Sequence, residues 1–179
     1  MRALLLLVFL CFFLLFWQAP AWAASSEEVR AVQDLLARGQ AQQALQRLEA
    51  RAEAVKSDGQ DAELRFLHGV ALMDLERNAD ALQWFERMAQ DLPELPDPLN
   101  NIALLHVRAG RLEPARQALE SALRNDPSFR VARANLGLVH LMLAVQAWEQ
   151  VQASGPVDRQ LVRRLEGARA LLSTASRQP

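Results

Sequence analysis

The sequence predicts an all-α solenoid of helix–turn–helix units, and three observations predict it. The first is a period. Gly69, Ala103 and Gly137 follow one another at 34 residues, as do Ala81 and Ala115, Phe85 and Leu119, and Pro93 and Pro127. Self-similarity at a fixed spacing of this size marks stacked repeats, each unable to bury its apolar face alone. The second is composition: Leu, Ala, Arg, Glu and Gln dominate and β-branched residues are few, which favours helix throughout. The third is punctuation. Gly39, Gly110, Asn125-Asp126-Pro127 and Ser154-Gly155-Pro156 interrupt apolar patterns of helical period. A chain of 179 residues suits one domain. Its net charge of −1 argues against nucleic acid as a partner, because phosphate binding needs a basic surface.

The N-terminus reads as a leader. Arg2 precedes an unbroken apolar run of 15 residues, Ala3–Trp17, and Ala21-Trp22-Ala23 follows the small-x-small cleavage pattern. Cleavage is expected after Ala23, giving an exported, periplasmic protein; the alternative is an uncleaved helix holding the chain in the inner membrane. A 15-residue helix reaches about 23 Å, short of the roughly 30 Å hydrocarbon core. Cleavage removes Cys11, the only cysteine, and shifts the net charge from −1 to −2. Disulfides and thiolate metal sites are thereby excluded.

Residues 24–61 read as a degenerate first unit with a loop. Ser26 with Glu27-Glu28 marks a helix start. Val29, Val32, Leu35 and Leu36 give its apolar face, Gly39 its stop, and Ala44, Leu45 and Leu48 a second helix. Three extra residues are assigned to the turn-rich Ser57–Asp61. Residues 62–95 form the next unit, patterned by Leu64, Leu67, Gly69 and Ala71, then by Ala81, Phe85 and Met88. Glu76 stands where Gly110 stands one repeat later, so Asn78 is expected to take the left-handed turn. Residues 96–129 follow. Asp97-Pro98 is read as a helix start with an N-cap acceptor, and Pro114 sits in the first turn of the second helix. Residues 130–153 open as a fourth unit through Val131, Leu136, Gly137 and His140, but no turn precedes Glu149, and the helix is expected to run on. Residues 154–179 hold a last helix near Val157–Thr174, with Leu161, Val162, Leu165, Ala168, Leu171 and Leu172 on one face.

These landmarks resemble the tetratricopeptide repeat. Leu99, Ile102, Ala103 and His106 occupy that family's Trp, Leu, Gly and Tyr slots, and Ala115 and Leu119 its Ala and Phe slots. The text Leu92–Leu138 is similar to exported and periplasmic proteobacterial members. The resemblance implies a right-handed solenoid of about three and a half repeats with a C-terminal capping helix, since an end repeat otherwise exposes apolar surface. It also implies a concave groove lined by first helices that receives a peptide or helix. The matching positions are Phe66, Val70, Met73, Asn101, Leu104, Arg108, Asn135, Leu138 and Met142. Asn101 and Asn135 are expected to bond a peptide backbone. The implied function is a non-enzymatic scaffold binding another envelope protein. The alternative is a structural homo-oligomer, such as a homodimer, whose groove is filled by its own C-terminal helix.

Nothing in the residues points to catalysis. Phosphate-loop, dinucleotide, zincin and nucleophile-elbow motifs are absent from the sequence, so no cofactor and no small-molecule substrate are expected. His106 and His140 share one slot in adjacent units. Packing between helices is the ordinary reading; the competing one is a metal or catalytic role, which their spacing of about 10 Å disfavours. Arg159, Arg163, Arg164 and Arg169 read as a solvated helix face.

Overall fold

The computed structural model describes residues 21–55 and 62–175, and these form eight α-helices with no strand among the described residues. They are α1 Ala21–Ala37, α2 Ala41–Val55, α3 Ala62–Asp74, α4 Asn78–Asp91, α5 Pro96–Arg108, α6 Leu112–Asn125, α7 Arg130–Ser154 and α8 Arg159–Ala175. They fall into two compact units, one ending at Glu76 and the other beginning at Arg77.

In the first unit α1 and α2 are joined by a turn that Gly39 makes possible. Its φ of 70° lies where a Cβ would crowd the backbone. Gly39 N donates to Leu36 O and Gln40 N to Leu35 O, both at 2.9 Å, which satisfies two orphan carbonyls of the helix end. Val29, Val32, Ala44, Leu45 and Leu48 are buried, and α3 packs on both α1 and α2, burying Leu64, Leu67 and Ala71. Arg47 on α2 forks onto Glu28 on α1 at 2.7 and 2.9 Å. That hydrogen-bonded guanidinium holds the Glu28 carboxyl below its ordinary range, against the opposing effect of burial.

The start of α1 differs from expectation. The helix begins at Ala21, not Ser26, and so runs across the expected cleavage point. The acids at Glu27-Glu28 belong to its interior, where Glu28 serves the Arg47 pair. Residues 1–20, most of the expected leader, and the expected insertion at Ser57–Asp61 lie outside the described residues. No helix among the described residues is long and apolar enough to cross a membrane.

The left-handed residue after α3 is Glu76 itself, at φ 57°; Asn78 instead opens α4. Glu76 N donates to Met73 O at 3.1 Å, so the turn needs this conformation whatever side chain occupies it. Its Cβ costs about 1 kcal/mol there. Glu76→Gly should therefore raise stability by about 0.5–1 kcal/mol in urea unfolding; a loss would show that the turn does not demand positive φ.

In the second unit α5 packs on α4 and α6, α6 on α7, and α7 on α8. The core at α5–α7 consists of Ala103, Ala115, Leu119, Ala122, Ala132 and Val139. Four of these six are alanines, so the helix backbones approach closely. The α5–α6 turn repeats the Gly39 motif: Gly110 has φ 70°, and Arg111 N donates to His106 O at 2.9 Å. Helix α5 begins at Pro96, with Leu95 at the N-cap and no side-chain cap bond, so Asp97 is a first-turn residue and not the cap. Successive turns are tied at both ends. Arg108 Nη1 donates to Asn78 Oδ1 at 3.1 Å, and Asn125 Nδ2 to Pro93 O at 2.6 Å. The Arg87 guanidinium lies 5.7 Å from the centroid of the half-buried Trp84 ring.

Helix α7 runs 25 residues, to Ser154, where Gly155-Pro156 breaks it. Asp158 Oδ1 accepts from Leu161 N at 2.7 Å, capping α8, which starts at Arg159 rather than Val157. Leu165 and Ala168 bury the inner face of α8. Leu171, expected on that face, is 62% exposed: at one residue before the half-buried Leu172 it points a third of a turn away.

Candidate functional site

The expected groove residues divide between the two units. Phe66 and Val70 are half-buried and Met73 is buried in the first unit. The others form two matched stripes in the second. On α5, Asp97, Asn101, Leu104 and Arg108 lie on one face, at helical spacings of four, three and four. On α7, Val131, Asn135, Leu138 and Met142 repeat these positions one period later. The two helices are joined near the start of each stripe by Asn135 Nδ2 donating to Asn100 Oδ1 at 2.9 Å. Leu104 and Met142 are half-buried, while Val131 and Leu138 are 54% and 36% exposed.

The asparagines do not stand as expected. Asn101 is 9% exposed and its Nδ2 donates to Asp97 O of its own helix at 3.2 Å. Asn135 Nδ2 donates to Asn100. Each side-chain amide thus has an N–H engaged within the protein rather than left for a ligand backbone. Asn100, a buried member of this link, is not marked by the 34-residue period, which picks out Asn101 and Asn135. The adjacent Asn-Asn text was the available signal, since a buried amide demands a partner.

A cavity of about 700 Å³ lies between the first half of α4 and the α5–α6 turn, lined by Asn78, Asp80, Glu86, Leu105, Arg108 and Arg111 among others. Its charges are two acids and two bases, and the lining holds no Ser, Thr, Cys, His or Lys. No cluster of three or more His, Cys, Asp or Glu side chains able to hold a metal occurs among the described residues.

The two histidines of the shared slot have different fates. His106 is half-buried, and its Nδ1 is buried without a hydrogen-bond partner. Burial, and then the Arg111 charge, push its pKa below the ordinary imidazole value, with Glu86 opposing. His140 is exposed, contrary to the expectation of packing, because no second helix covers its position on α7. Since the folded protein binds the His106 proton more weakly than the unfolded chain, His106 contributes stability above the ordinary histidine pKa that is lost as pH falls through the depressed one. Thermal unfolding at pH 7.5 and pH 5 should show an acid loss in the parent that is smaller in His106→Phe; equal losses would refute the assignment.

These stripes, the period and the small residues at the helix crossings can be set beside known proteins. The tetratricopeptide repeat profile matches residues 29–96 and 100–178. The second match carries the resemblance through α8, beyond the positions that the 34-residue pattern had marked. Among solved structures, MamA aligns with a TM-score of 0.57 at 15% identity, over 84% of this chain and 80% of that one. A tetratricopeptide repeat protein of Parabacteroides merdae aligns at 0.58 and 18% identity, over 81% of this chain and 60% of that one. PcrH, in complex with the chaperone binding region of PopD, aligns at 0.56 and 19%, over 78% of this chain and 98% of that one. At these identities the likeness is one of fold. The profile matches cover most of the sequence, and the chain, all-α in its described residues, belongs to the tetratricopeptide repeat family.

Proposed function

We propose that this protein is a non-enzymatic scaffold of the bacterial cell envelope that holds a segment of a partner protein against the α5–α7 stripe. The observation that carries the reading is the exposure of Val131 and Leu138, on the same face as Leu104 and Met142. Large apolar side chains aligned on one face are the usual seat of an apolar or amphipathic segment. Helix α8 does not fill the stripe: it sits on the second half of α7, where Arg169 Nη2 meets Glu149 Oε1 at 2.7 Å, and leaves both side chains open. This disfavours occlusion by the chain's own C-terminal helix. The related fold of PcrH is seen holding a region of another protein, which supports the same use here. Export rests on the leader-like Met1–Ala23.

A photo-crosslinking residue at Leu104 should capture a distinct envelope protein in cells. Leu138→Asp should remove the adduct while leaving helicity intact, since Leu138 is already 36% exposed. Capture only of the chain's own α8, or an undiminished adduct in Leu138→Asp, would overturn the reading.

A further inference from the structure

The fourth repeat has a first helix but no second helix in the usual place. The slot residues of α5 are Leu99, Ile102, Ala103 and His106, of which Leu99 and Ala103 pack against α6. Ala103 is completely buried there in a cluster with Ala115, Leu119 and Ala122. One period later the same positions on α7 are Arg133, Leu136, Gly137 and His140. Leu136 packs against the core, but Arg133, Gly137 and His140 are exposed. A Cβ built on Gly137 meets nothing within 4 Å. Gly69, in the first unit, is buried at this register. The chain that should return over Gly137 instead continues to Ser154 before turning, and α8 packs further along.

We propose that this vacant seat receives an acidic amphipathic helix from another protein, which completes the repeat in trans. The kind of occupant follows from what fills the preceding seat. There α6 presents Ala115, Leu119 and Ala122, an apolar strip at spacings of four and three. Gly137 leaves more room than Ala103, so the incoming strip can carry a bulkier side chain over it. Charge decides the rest. Arg130–Trp148 contains Arg130, Arg133 and His140 and no acid; the first acid, Glu149, is engaged by Arg169. Arg133 donates to Pro127 O, which steers the guanidinium without neutralising it. An occupant with carboxylates flanking its apolar strip complements this face. The seat lies on a different face of α7 from Val131 and Leu138, and the inference does not rest on the concave-stripe reading.

The test uses the full chain and two fluorescent synthetic peptides. One copies Leu112–Asn125, the native occupant of the preceding seat. The other is the same peptide with Arg116→Glu and Arg124→Glu. The acidic peptide should bind saturably and about tenfold more tightly than the parent peptide, with an advantage that shrinks in high salt. Gly137→Trp should abolish that binding without lowering the melting temperature, because the site is open. Arg133→Glu should reverse the preference between the two peptides. Failure of both peptides to bind, or full binding by Gly137→Trp, would overturn the proposal. Loss of binding in Leu138→Asp would put the peptide on the concave stripe, and a dimer of the chain dissociated by Gly137→Trp would make a second copy the occupant; either overturns it as well.

Discussion

Leu119→Ala should cost about 2–5 kcal/mol of stability, read as a lower urea midpoint by far-UV circular dichroism. Leu119 is 1% exposed and its buried neighbours are Ala103, Ala115, Ala122, Ala132 and Val139. Alanines cannot move inward to fill the space, since their Cβ atoms are fixed to three different helix backbones. The cavity would close only if α5, α6 and α7 shifted as rigid bodies, and the turn ties from Arg108 to Asn78 and from Asn125 to Pro93 resist that shift. The substitution therefore loses the transfer energy of the removed carbons and leaves most of the void behind. A cost below about 1 kcal/mol would mean that the three helices do not meet around this side chain.

Substitutions at one repeat register should have opposite signs in adjacent repeats. Ala103→Leu should destabilise by about 1–3 kcal/mol, because Ala103 is completely buried and the added carbons must displace α6. Gly137→Ala should stabilise by about 0.5–1 kcal/mol, since a helical glycine in open space gains helix propensity and meets no neighbour. Both changes can be followed in the same urea titration. If both destabilise, a helix covers Gly137 after all.

Much of the fold was legible in the sequence because its signals are local. A glycine after an apolar run states the turn at Gly39 and Gly110, since few other residues tolerate positive φ there. The absence of Gly and Pro from Leu141 to Val151 states that α7 runs on past the usual repeat boundary. What was not legible depends on partners distant in the chain. Glu76 takes the left-handed turn at the register of Gly110, although its own side chain does not favour that conformation. Glu28 resembles a first-turn acid but lies inside a helix facing Arg47. His106 and His140 share a slot, yet exposure follows from whether a second helix is present, and only α5 has one. The same lesson applies to the candidate site. The family resemblance assigned Asn101 and Asn135 to a ligand backbone, whereas Asn101 is buried and bonds Asp97 O of its own helix, and Asn135 bonds Asn100.

The tryptophans offer a way to observe the two units separately. There are four in the sequence and no tyrosine, and two of the four, Trp17 and Trp22, precede the expected cleavage point. In the form cut after Ala23, Trp84 and Trp148 are the remaining indoles, and both lie in the unit that begins at Arg77. Emission excited near 295 nm then comes from that unit alone, while helical ellipticity comes from both. Two optical signals on one unlabelled sample thus tell whether the halves of the protein melt as one body or in sequence.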